Sequence, residues 1–107
     1  MNADLHKASR SGDEAHVTRL LQKGAQVNYV SPLVNDNAGP WDMQGWTAMH
    51  CAAYWGHAQC VETLWDWGAS LRARTAIHNM TALHLAAVNG HADVVDMLLD
   101  RGAEKDA

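Results

Sequence analysis

Seven histidines and two cysteines are the side chains of this 107-residue chain that could hold a metal ion or act in catalysis. A zinc site needs ligands that converge tetrahedrally on one point, and its common sequence patterns are HExxH and paired CxxC motifs. Neither pattern occurs, and the two cysteines, Cys51 and Cys60, are separated by eight residues. The GxGxxG, GxxxxGKS/T and GxSxG patterns of nucleotide-binding proteins and hydrolases are missing as well. We therefore predict no enzymatic activity, no metal site and no cofactor.

A second group of side chains indicates binding rather than catalysis. Residues 41–57, WDMQGWTAMHCAAYWGH, contain Trp41, Trp46, Tyr54 and Trp55 in a chain without phenylalanine. Trp and Tyr are enriched among the residues that dominate binding energy at protein interfaces. Each ring can bury roughly 150 to 250 Å² against a partner. This aromatic segment is therefore expected to mark a binding surface.

Length and composition limit the class of protein. A chain of 107 residues is the size of one ordinary domain, and a net charge of −4 offers no basic field for nucleic-acid phosphates. No apolar run is long enough to cross a membrane, and the N-terminus MNADLHKASR has no signal-peptide core. The two cysteines form no disulfide framework. We expect an intracellular protein, cytoplasmic or nuclear, that binds neither nucleic acid nor membrane.

The chain contains an internal repeat. Residues 45–73 align with residues 79–107 at an offset of 34, which places Thr47 opposite Thr81 and Gly56 opposite Gly90. About half of the aligned positions are identical. A weaker copy, LHKASRSGDEAHVTRLLQKGAQVN, begins at Leu5. These alignments predict three units.

Each unit has the pattern of two short helices. In the third unit, Thr81 can cap a helix that stops at Gly90, and a second helix then runs to Gly102. Apolar residues recur at helical spacing in this second helix, at Val94, Val95, Leu98 and Leu99, with aspartates between them. Such a pair cannot bury its apolar face alone, so we expect the units to stack into one core.

The repeated pattern T-A-M/L-H-x-A-A-x-x-G-H-A-x-x-V-x-x-L-x-D-x-G-A resembles the ankyrin repeat. The resemblance covers nearly the whole chain, although Ala48 and Ala82 stand where the family usually has proline, and Asn79 replaces a usual hairpin glycine. It implies an all-α solenoid of stacked helix-turn-helix units joined by β-hairpin-like finger loops. The expected single domain, 1–107, divides into repeat 1 at about 3–30, an elongated finger loop at about 29–45, repeat 2 at about 42–75 and repeat 3 at about 76–107.

The same resemblance gives five histidines structural roles. His50 and His84 are expected to bond the preceding threonine and neighbouring backbone, and His6 is their counterpart in the first unit. His57 and His91 follow the glycine between the two helices and are expected to secure the start of the second helix. Equivalent positions in stacked units do not converge on one point, which argues against a shared zinc ion. The pattern leaves two histidines without a role, His16 and His78.

The cysteines receive a similar interpretation. Cys51 aligns with Leu85 and Cys60 with Val94, so both occupy apolar positions. We predict two buried thiols that behave as small hydrophobic side chains rather than as reactive groups.

The resemblance also assigns the aromatic segment to a face. In ankyrin-like arrays, the finger and the exposed side of the first helix form a concave surface that meets a partner protein. We therefore predict a protein-protein interaction module, or scaffold, in which Trp46 and Trp55 are substantially exposed. Its partner is expected to be a helix or extended peptide with an apolar or aromatic anchor and an acidic flank towards Arg10 and Lys7. The predicted partner-binding residues are Arg10, Ser11, Trp41, Met43, Gln44, Trp46, Tyr54, Trp55, Ile77, His78, Met80, Val88 and Asn89.

The finger of the first unit is longer than that of the second. Gly24 lies 23 residues before Thr47, whereas Gly68 lies 13 residues before Thr81, so about ten residues are added. Prolines, asparagines and glycine in YVSPLVNDNAGPWDMQ predict turns and irregular backbone. This loop either takes part in binding or is a passive insertion. Asn28, just before it, occupies the hairpin position that asparaginyl hydroxylases modify in some ankyrin repeats.

Several alternatives remain open from the sequence. Some of the rings can pack within the array, and Trp65, which aligns with Leu99, is expected to fill the interior, whereas Trp67 covers a loop or marks a second contact. The third unit has no polar cap, which predicts an N-terminal piece of a longer protein or association with another copy. The alternative function is accordingly a structural or self-assembly element that associates through the aromatic face or the third unit.

Overall fold

Three pairs of α-helices follow one another along the chain. The computed structural model describes residues 2–31, 45–75 and 79–101, and within these ranges every regular element is helical. The expected all-α architecture of stacked helix-turn-helix units is confirmed. The helices are α1 (Asn2–Ser11), α2 (Glu14–Gln22), α3 (Ala48–Tyr54), α4 (Ala58–Asp66), α5 (Ala82–Val88) and α6 (Ala92–Asp100).

The first helices of the second and third units begin at the threonines that the sequence indicated. The Thr47 side chain accepts a hydrogen bond from the His50 backbone N–H at 3.4 Å, and the Thr47 N–H donates to His50 Nδ1 at 2.9 Å. The same reciprocal capping joins Thr81 and His84. Two backbone donors at each helix start are thereby satisfied. The roles expected of His50 and His84 are confirmed.

Each first helix is followed within two residues by a glycine in the left-handed region. Gly12, Gly56 and Gly90 have φ values of 78°, 74° and 70°, and the next helix begins two residues later. A side chain disfavours this conformation, so glycine suits the turn between the two helices of a pair.

The pairs stack in two layers. First helices pack on first helices, in the order α1, α3, α5, and second helices pack on second helices, in the order α2, α4, α6. In α6, Val94 and Leu98 are completely buried, whereas the intervening Asp93 and Asp96 are exposed. The apolar side of α6 that the sequence predicted therefore faces the core between the layers.

The two fingers differ in length, but each is closed by the same set of hydrogen bonds, which we call the hairpin base. The Ser31 N–H donates to the Trp46 carbonyl oxygen at 3.0 Å, as the Thr75 N–H donates to that of Met80 at 2.8 Å. The Ser31 and Thr75 hydroxyl oxygens then accept from the Trp46 and Met80 N–H groups. Fourteen residues separate the first pair (46 − 31 − 1) and four separate the second (80 − 75 − 1), so the base is the same although the first finger has ten more residues in its sequence. Most of the expected elongated loop, 32–44, lies outside the described residues.

Gly45 and Asn79, which precede Trp46 and Met80 in the two hairpin bases, have the same backbone conformation and the same hydrogen bond. Gly45 has a φ of 75° and Asn79 has a φ of 54°, and each N–H donates to the carbonyl oxygen at the other side of its base, at Ser31 or Thr75. Asparagine is one of the few non-glycine residues that adopt this conformation readily. Asn79 therefore replaces the usual hairpin glycine without changing the turn.

Candidate functional site

Three aromatic rings form a cluster where the first finger meets α3. The ring centroids of Trp46 and Tyr54 are 5.3 Å apart, those of Tyr54 and Trp55 are 4.7 Å apart, and those of Trp46 and Trp55 are 6.1 Å apart. The first two pairs meet edge to face, which is a favourable arrangement of ring quadrupoles. The cluster is therefore a packed unit rather than a set of independent rings.

Trp46 lies at the bottom of this cluster, and the prediction that it is substantially exposed is wrong. Its exposed fraction is 2%, and it forms a small apolar core with Cys51 and Leu85. Its carbonyl oxygen accepts hydrogen bonds from Ser31 and from His6 Nε2, the latter at 2.8 Å. The indole therefore packs against α3 and α5 instead of facing solvent.

Tyr54 and Trp55 cover Trp46 and are themselves half-buried. The Arg10 guanidinium lies 5.2 Å from the centroid of the Trp55 ring, within the range of a cation–π interaction. Trp55 is thus less exposed than the sequence predicted, but part of its surface and part of Tyr54 remain accessible. Tyr54 is the last residue of α3, and Trp55 is its C-cap.

Equivalent residues at the ends of the three first helices extend this patch. Arg10, Tyr54 and Val88 occupy one equivalent position, and Ser11, Trp55 and Asn89 occupy the next. The Asn89 side chain donates to the Tyr54 carbonyl oxygen at 2.7 Å, which ties the third unit to the second. We call these six residues, together with the half-buried Met80, the first-helix surface. Val88 is its most exposed apolar member, at 66%.

The structure therefore brings together seven of the predicted partner-binding residues and places Trp46 beneath them. The remaining five, Trp41, Met43, Gln44, Ile77 and His78, lie outside the described residues. For the seven residues of the first-helix surface, contact with a partner stays a prediction.

His57 and His91 have a role that differs from the predicted one. Each occupies the N-cap position of the second helix, but neither side chain caps it. Instead, His57 Nε2 donates to the Arg10 carbonyl oxygen at 2.8 Å, and His91 Nε2 donates to that of Tyr54 at 2.9 Å. Both histidines thereby join their unit to the preceding one and fix the backbone beneath the first-helix surface.

Sequence reasoning missed this bond between units, although a signal for it existed. The Gly-His step occurs at Gly56-His57 and at Gly90-His91, whereas the first of the three units has Asp13 in the histidine position. Asp13 does cap its own helix, since its carboxylate accepts from the His16 N–H at 3.2 Å. Aspartate at this position therefore caps its own helix, whereas histidine at this position bonds the preceding unit.

His50 is the most deeply buried histidine described, with 1% of its surface exposed. Its Nδ1 accepts the Thr47 N–H, so the proton must lie on Nε2, which donates to the Ala73 carbonyl oxygen at 2.8 Å. Burial lowers the pKa of His50 to about 4, against a raising effect of the bond to Ala73. The ring is therefore a neutral link between α3 and the following finger.

The two cysteines are buried as predicted. Cys51 and Cys60 are both fully shielded from solvent. Burial raises the pKa of Cys51 to about 12 and that of Cys60 to about 11, and the nearby Glu14 adds to the effect at Cys60. Neither thiol has the lowered pKa or the exposure that a nucleophile needs.

Three further residues bear on the open alternatives. Trp65 is partly buried against the main core, in agreement with its predicted interior position, whereas Trp67 is 44% exposed. The Asn28 side chain donates to the Gly68 carbonyl oxygen and accepts from the Ser70 N–H. Asn28 therefore links the first unit to the loop that follows α4.

Among residues 2–31, 45–75 and 79–101, no group of three or more His, Cys, Asp or Glu side chains is arranged to hold a metal ion. In the same ranges, no helix has the length and apolar character needed to cross a membrane.

Comparison with known proteins agrees with this geometry. A family model described as ankyrin repeats in three copies matches residues 5–107. The human protein named Inhibitor of Bruton tyrosine kinase is 36% identical over 67 residues, which cover 63% of this chain and 4% of that protein. The chain thus corresponds to a small part of this much longer relative. The match to the family model extends over all three helix pairs, and the chain belongs to the ankyrin-repeat family.

Proposed function

We propose that this chain binds a peptide or helix of another protein on the first-helix surface. Ankyrin repeats are in general modules of protein-protein interaction, and the family is not enzymatic. The observation that carries the more specific proposal is the position of Tyr54 and Trp55. Both rings rest on the buried Trp46 while keeping part of their surface accessible.

This arrangement favours binding because the two rings are already held in place. Trp46 supports Tyr54 and Trp55 through ring contacts of 5.3 and 6.1 Å, and the Arg10 guanidinium packs on Trp55. Side chains that are ordered before a partner arrives lose little conformational entropy on binding. A rigid aromatic pair is therefore a suitable anchor for an apolar side chain of a partner.

Charge and polarity differ on the two sides of the aromatic pair. The exposed Arg10 and Lys7 lie on the side of the first unit, and the exposed Val88 lies on the side of the third. A matching segment would carry acidic residues towards α1 and apolar residues towards α5. The charged flank would contribute mainly to orientation and association rate, and the apolar anchor to affinity.

The named relative is consistent with a protein partner. Its printed name describes it as an inhibitor of a tyrosine kinase, which is itself a protein. The aligned part is a small fraction of that protein, so this similarity supports a class of partner and no particular one.

Affinity capture from a lysate of the source cells, followed by mass spectrometry, tests the proposal. The parent chain is compared with the triple variant Tyr54→Ala, Trp55→Ala, Val88→Ser and with the control Trp67→Ala. The control removes an exposed indole from the end of α4 rather than from the first-helix surface. Circular dichroism verifies that each variant is folded. Partners that are lost with the triple variant and retained with the control would support the proposal, and equal retention by all three would refute it.

A charge-reversed variant provides a second test that leaves the aromatic rings in place. Arg10→Glu should weaken capture of a partner with an acidic flank and should make binding less sensitive to salt. If the partner binds Arg10→Glu as tightly as the parent, the proposed orientation is wrong even where the surface is right.

Self-assembly through the aromatic rings is the alternative function, and the molecular mass in solution distinguishes it from binding of another protein. If Tyr54 and Trp55 join copies of this chain, sedimentation velocity will show a mass that rises with concentration and returns to the monomer value in the triple variant. The burial of Trp46 within a single chain leaves fewer exposed rings for such an assembly than the sequence indicated.

A further inference from the structure

The four serines of the chain differ in the contacts of their hydroxyl groups. Ser9 is completely buried and donates to a backbone carbonyl oxygen one turn earlier, at 2.8 Å. The Ser31 hydroxyl group closes the hairpin base, and the Ser70 hydroxyl oxygen accepts from a backbone N–H two residues later. Ser11 is exposed, and its hydroxyl group bonds no other residue within the described ranges. Its oxygen is therefore available to a modifying enzyme.

Ser11 lies at an accessible edge of the stacked units. It is the last residue of α1, and Gly12, with a φ of 78°, then takes the backbone out of the helix. The equivalent residue of the third unit, Asn89, is exposed as well, although the second unit packs against that unit. The exposure of Ser11 therefore follows from its place within a unit and not from the place of the unit in the array.

The residues that follow Ser11 carry negative charge. Asp13 and Glu14 stand two and three positions after it, and both are exposed. Charge complementarity selects between protein partners, so two carboxylates behind a serine suit an acidophilic kinase, whose substrate cleft is lined by Lys and Arg. Ser70 has the opposite surroundings, because two arginines follow it within four positions.

A groove of about 370 Å³ beside Ser11 has room for a phosphoryl group. Lys7 and His16 line this groove, and so do the carboxylates of Asp4 and Asp13. Lys7 precedes Ser11 by four residues, a spacing that allows an ion pair along the helix, whereas the two carboxylates would repel a phosphate. The charge of a phosphate on Ser11 would thus be only partly compensated within the chain, and it would act on a molecule that approaches the first-helix surface.

The charge of this flank would change sign or vanish on phosphorylation. Lys7 and Arg10 give the flank its two positive charges, and a phosphoserine carries about −1.5 to −2 charges at pH 7. A partner with an acidic flank would lose the attraction of the two cations and would meet like charge beside Trp55.

We propose that Ser11 is phosphorylated by an acidophilic serine kinase and that the phosphate weakens binding at the first-helix surface. The Ser11 oxygen attacks the γ-phosphorus of a nucleoside triphosphate, the bond from this phosphorus to the oxygen that bridges to the β-phosphate breaks, and the nucleoside diphosphate leaves. The serine proton passes to a base of the kinase. The modification is independent of a partner, whereas its effect on binding rests on the function proposed above.

The modification is tested on the full, folded chain. The chain is incubated with purified casein kinase 2, an acidophilic kinase, and with ATP and Mg²⁺, and the products are analysed by intact-mass and tandem mass spectrometry. We expect one phosphoryl group per chain, located on Ser11 and absent from Ser11→Ala. Ser70 is the internal control, since it is exposed but precedes basic residues. An unmodified Ser11, or equal phosphorylation of Ser70, would overturn the proposal.

Two variants separate recognition of the folded edge from modification of unfolded chain. Asp13→Asn combined with Glu14→Gln removes both carboxylates, although asparagine can still cap α2. This change should slow the phosphorylation of Ser11 by about tenfold. Val61→Ala leaves a cavity in the core and should not alter the rate. A rate that ignores the two carboxylates, or that rises with Val61→Ala, would contradict recognition of the folded edge.

The effect on binding is measured by titration calorimetry with a purified protein whose capture depends on Tyr54 and Trp55. Phosphorylation should weaken its affinity by about tenfold, and treatment with a phosphatase should restore it. The difference should shrink at high ionic strength, because the charges involved are exposed. The variant without the two carboxylates, treated with kinase only until the parent is fully modified, should keep most of its affinity.

Failure of this inference is distinguishable from failure of the proposed function. If no captured protein depends on Tyr54 and Trp55, the proposed function fails and the switch fails with it, whereas the mass spectra still decide whether Ser11 is modified. If such a protein binds the phosphorylated chain as tightly as the unmodified one, or more tightly, the switch is overturned and the binding surface stands.

Discussion

The imidazole ring of His91 lies directly over the backbone of Gly56. A methyl group on Gly56 would approach the ring Nδ1 to 2.5 Å, and the ring is held there because its Nε2 donates to the Tyr54 carbonyl oxygen. Gly56 also has a φ of 74°. Two separate physical reasons, backbone conformation and the approach of a neighbouring unit, therefore require glycine at this position.

The first prediction compares this glycine with its equivalent in the third unit. Gly56→Ala should lower the free energy of unfolding by roughly 2 to 4 kcal/mol, from left-handed strain and the displaced His91 bond. Gly90→Ala should lose only the strain, about 1 to 2 kcal/mol. Urea unfolding of both variants gives the difference. Equal losses would mean that the ring above Gly56 moves aside without cost.

Several elements of the fold could be predicted from local pattern. Thr47 and Thr81 are recognisable as helix caps because capping depends on residues three positions apart, and Gly56 marks a helix end for a similarly local reason. The ten added residues in the first finger followed from counting between equivalent positions. The hydrogen-bonded base of the first finger could not be predicted in this way. It depends on the Ser31 hydroxyl group, which takes the place of the Thr75 hydroxyl group in the second finger.

The site was harder to predict because exposure depends on contacts between units. A repeat pattern assigns Trp46 to the finger, and the finger is usually accessible. Whether the indole turns outward or inward depends on the shape of Cys51 and Leu85 beneath it, which alignment of the units cannot give. Tyr54 and Trp55 lie at the end of α3 and keep part of their surface accessible, and their contact with a partner stays a prediction.

The second prediction concerns the different roles of two tryptophans. Trp46→Ala should lower the free energy of unfolding by about 3 to 5 kcal/mol, since it removes a buried indole and leaves a cavity. Trp67→Ala removes a side chain that is 44% exposed and should change stability by about 1 kcal/mol or less. Chemical denaturation monitored by circular dichroism measures both. A small effect at Trp46 would contradict its placement in the core.

The third prediction concerns thiol reactivity. Burial raises the pKa of Cys51 to about 12 and that of Cys60 to about 11, so at pH 8 the thiolate fractions are on the order of one in ten thousand and one in a thousand. Both cysteines should react with Ellman's reagent only when the protein unfolds. Reaction rates in buffer and in 6 M urea are compared, with Cys51→Ala and Cys60→Ala to assign each thiol. Rapid labelling of the folded protein would show that a cysteine is accessible.

The last prediction follows from the neutral state of His50. Burial holds its pKa at about 4 in the folded protein, below the ordinary value of 6.5. Between these values the unfolded chain takes up a proton that the folded protein does not, so protonation favours unfolding. The contribution of His50 to stability is therefore complete above about pH 7 and is lost as the pH falls from 6.5 towards 4. At pH 4 the loss of unfolding free energy reaches about 3 kcal/mol.

Urea unfolding at pH 7.5 and pH 5 measures this dependence, and His50→Gln provides the control. The glutamine side chain does not titrate, and its amide oxygen can still accept the Thr47 N–H in a capping box. We expect the parent to lose roughly 2 kcal/mol between the two pH values through this residue, since the full slope is about 1.4 kcal/mol per pH unit. The variant should lack this part of the loss. If parent and variant lose the same stability, the ring of His50 accepts a proton without leaving its position between Thr47 and Ala73, and the neutral link described above is incorrect.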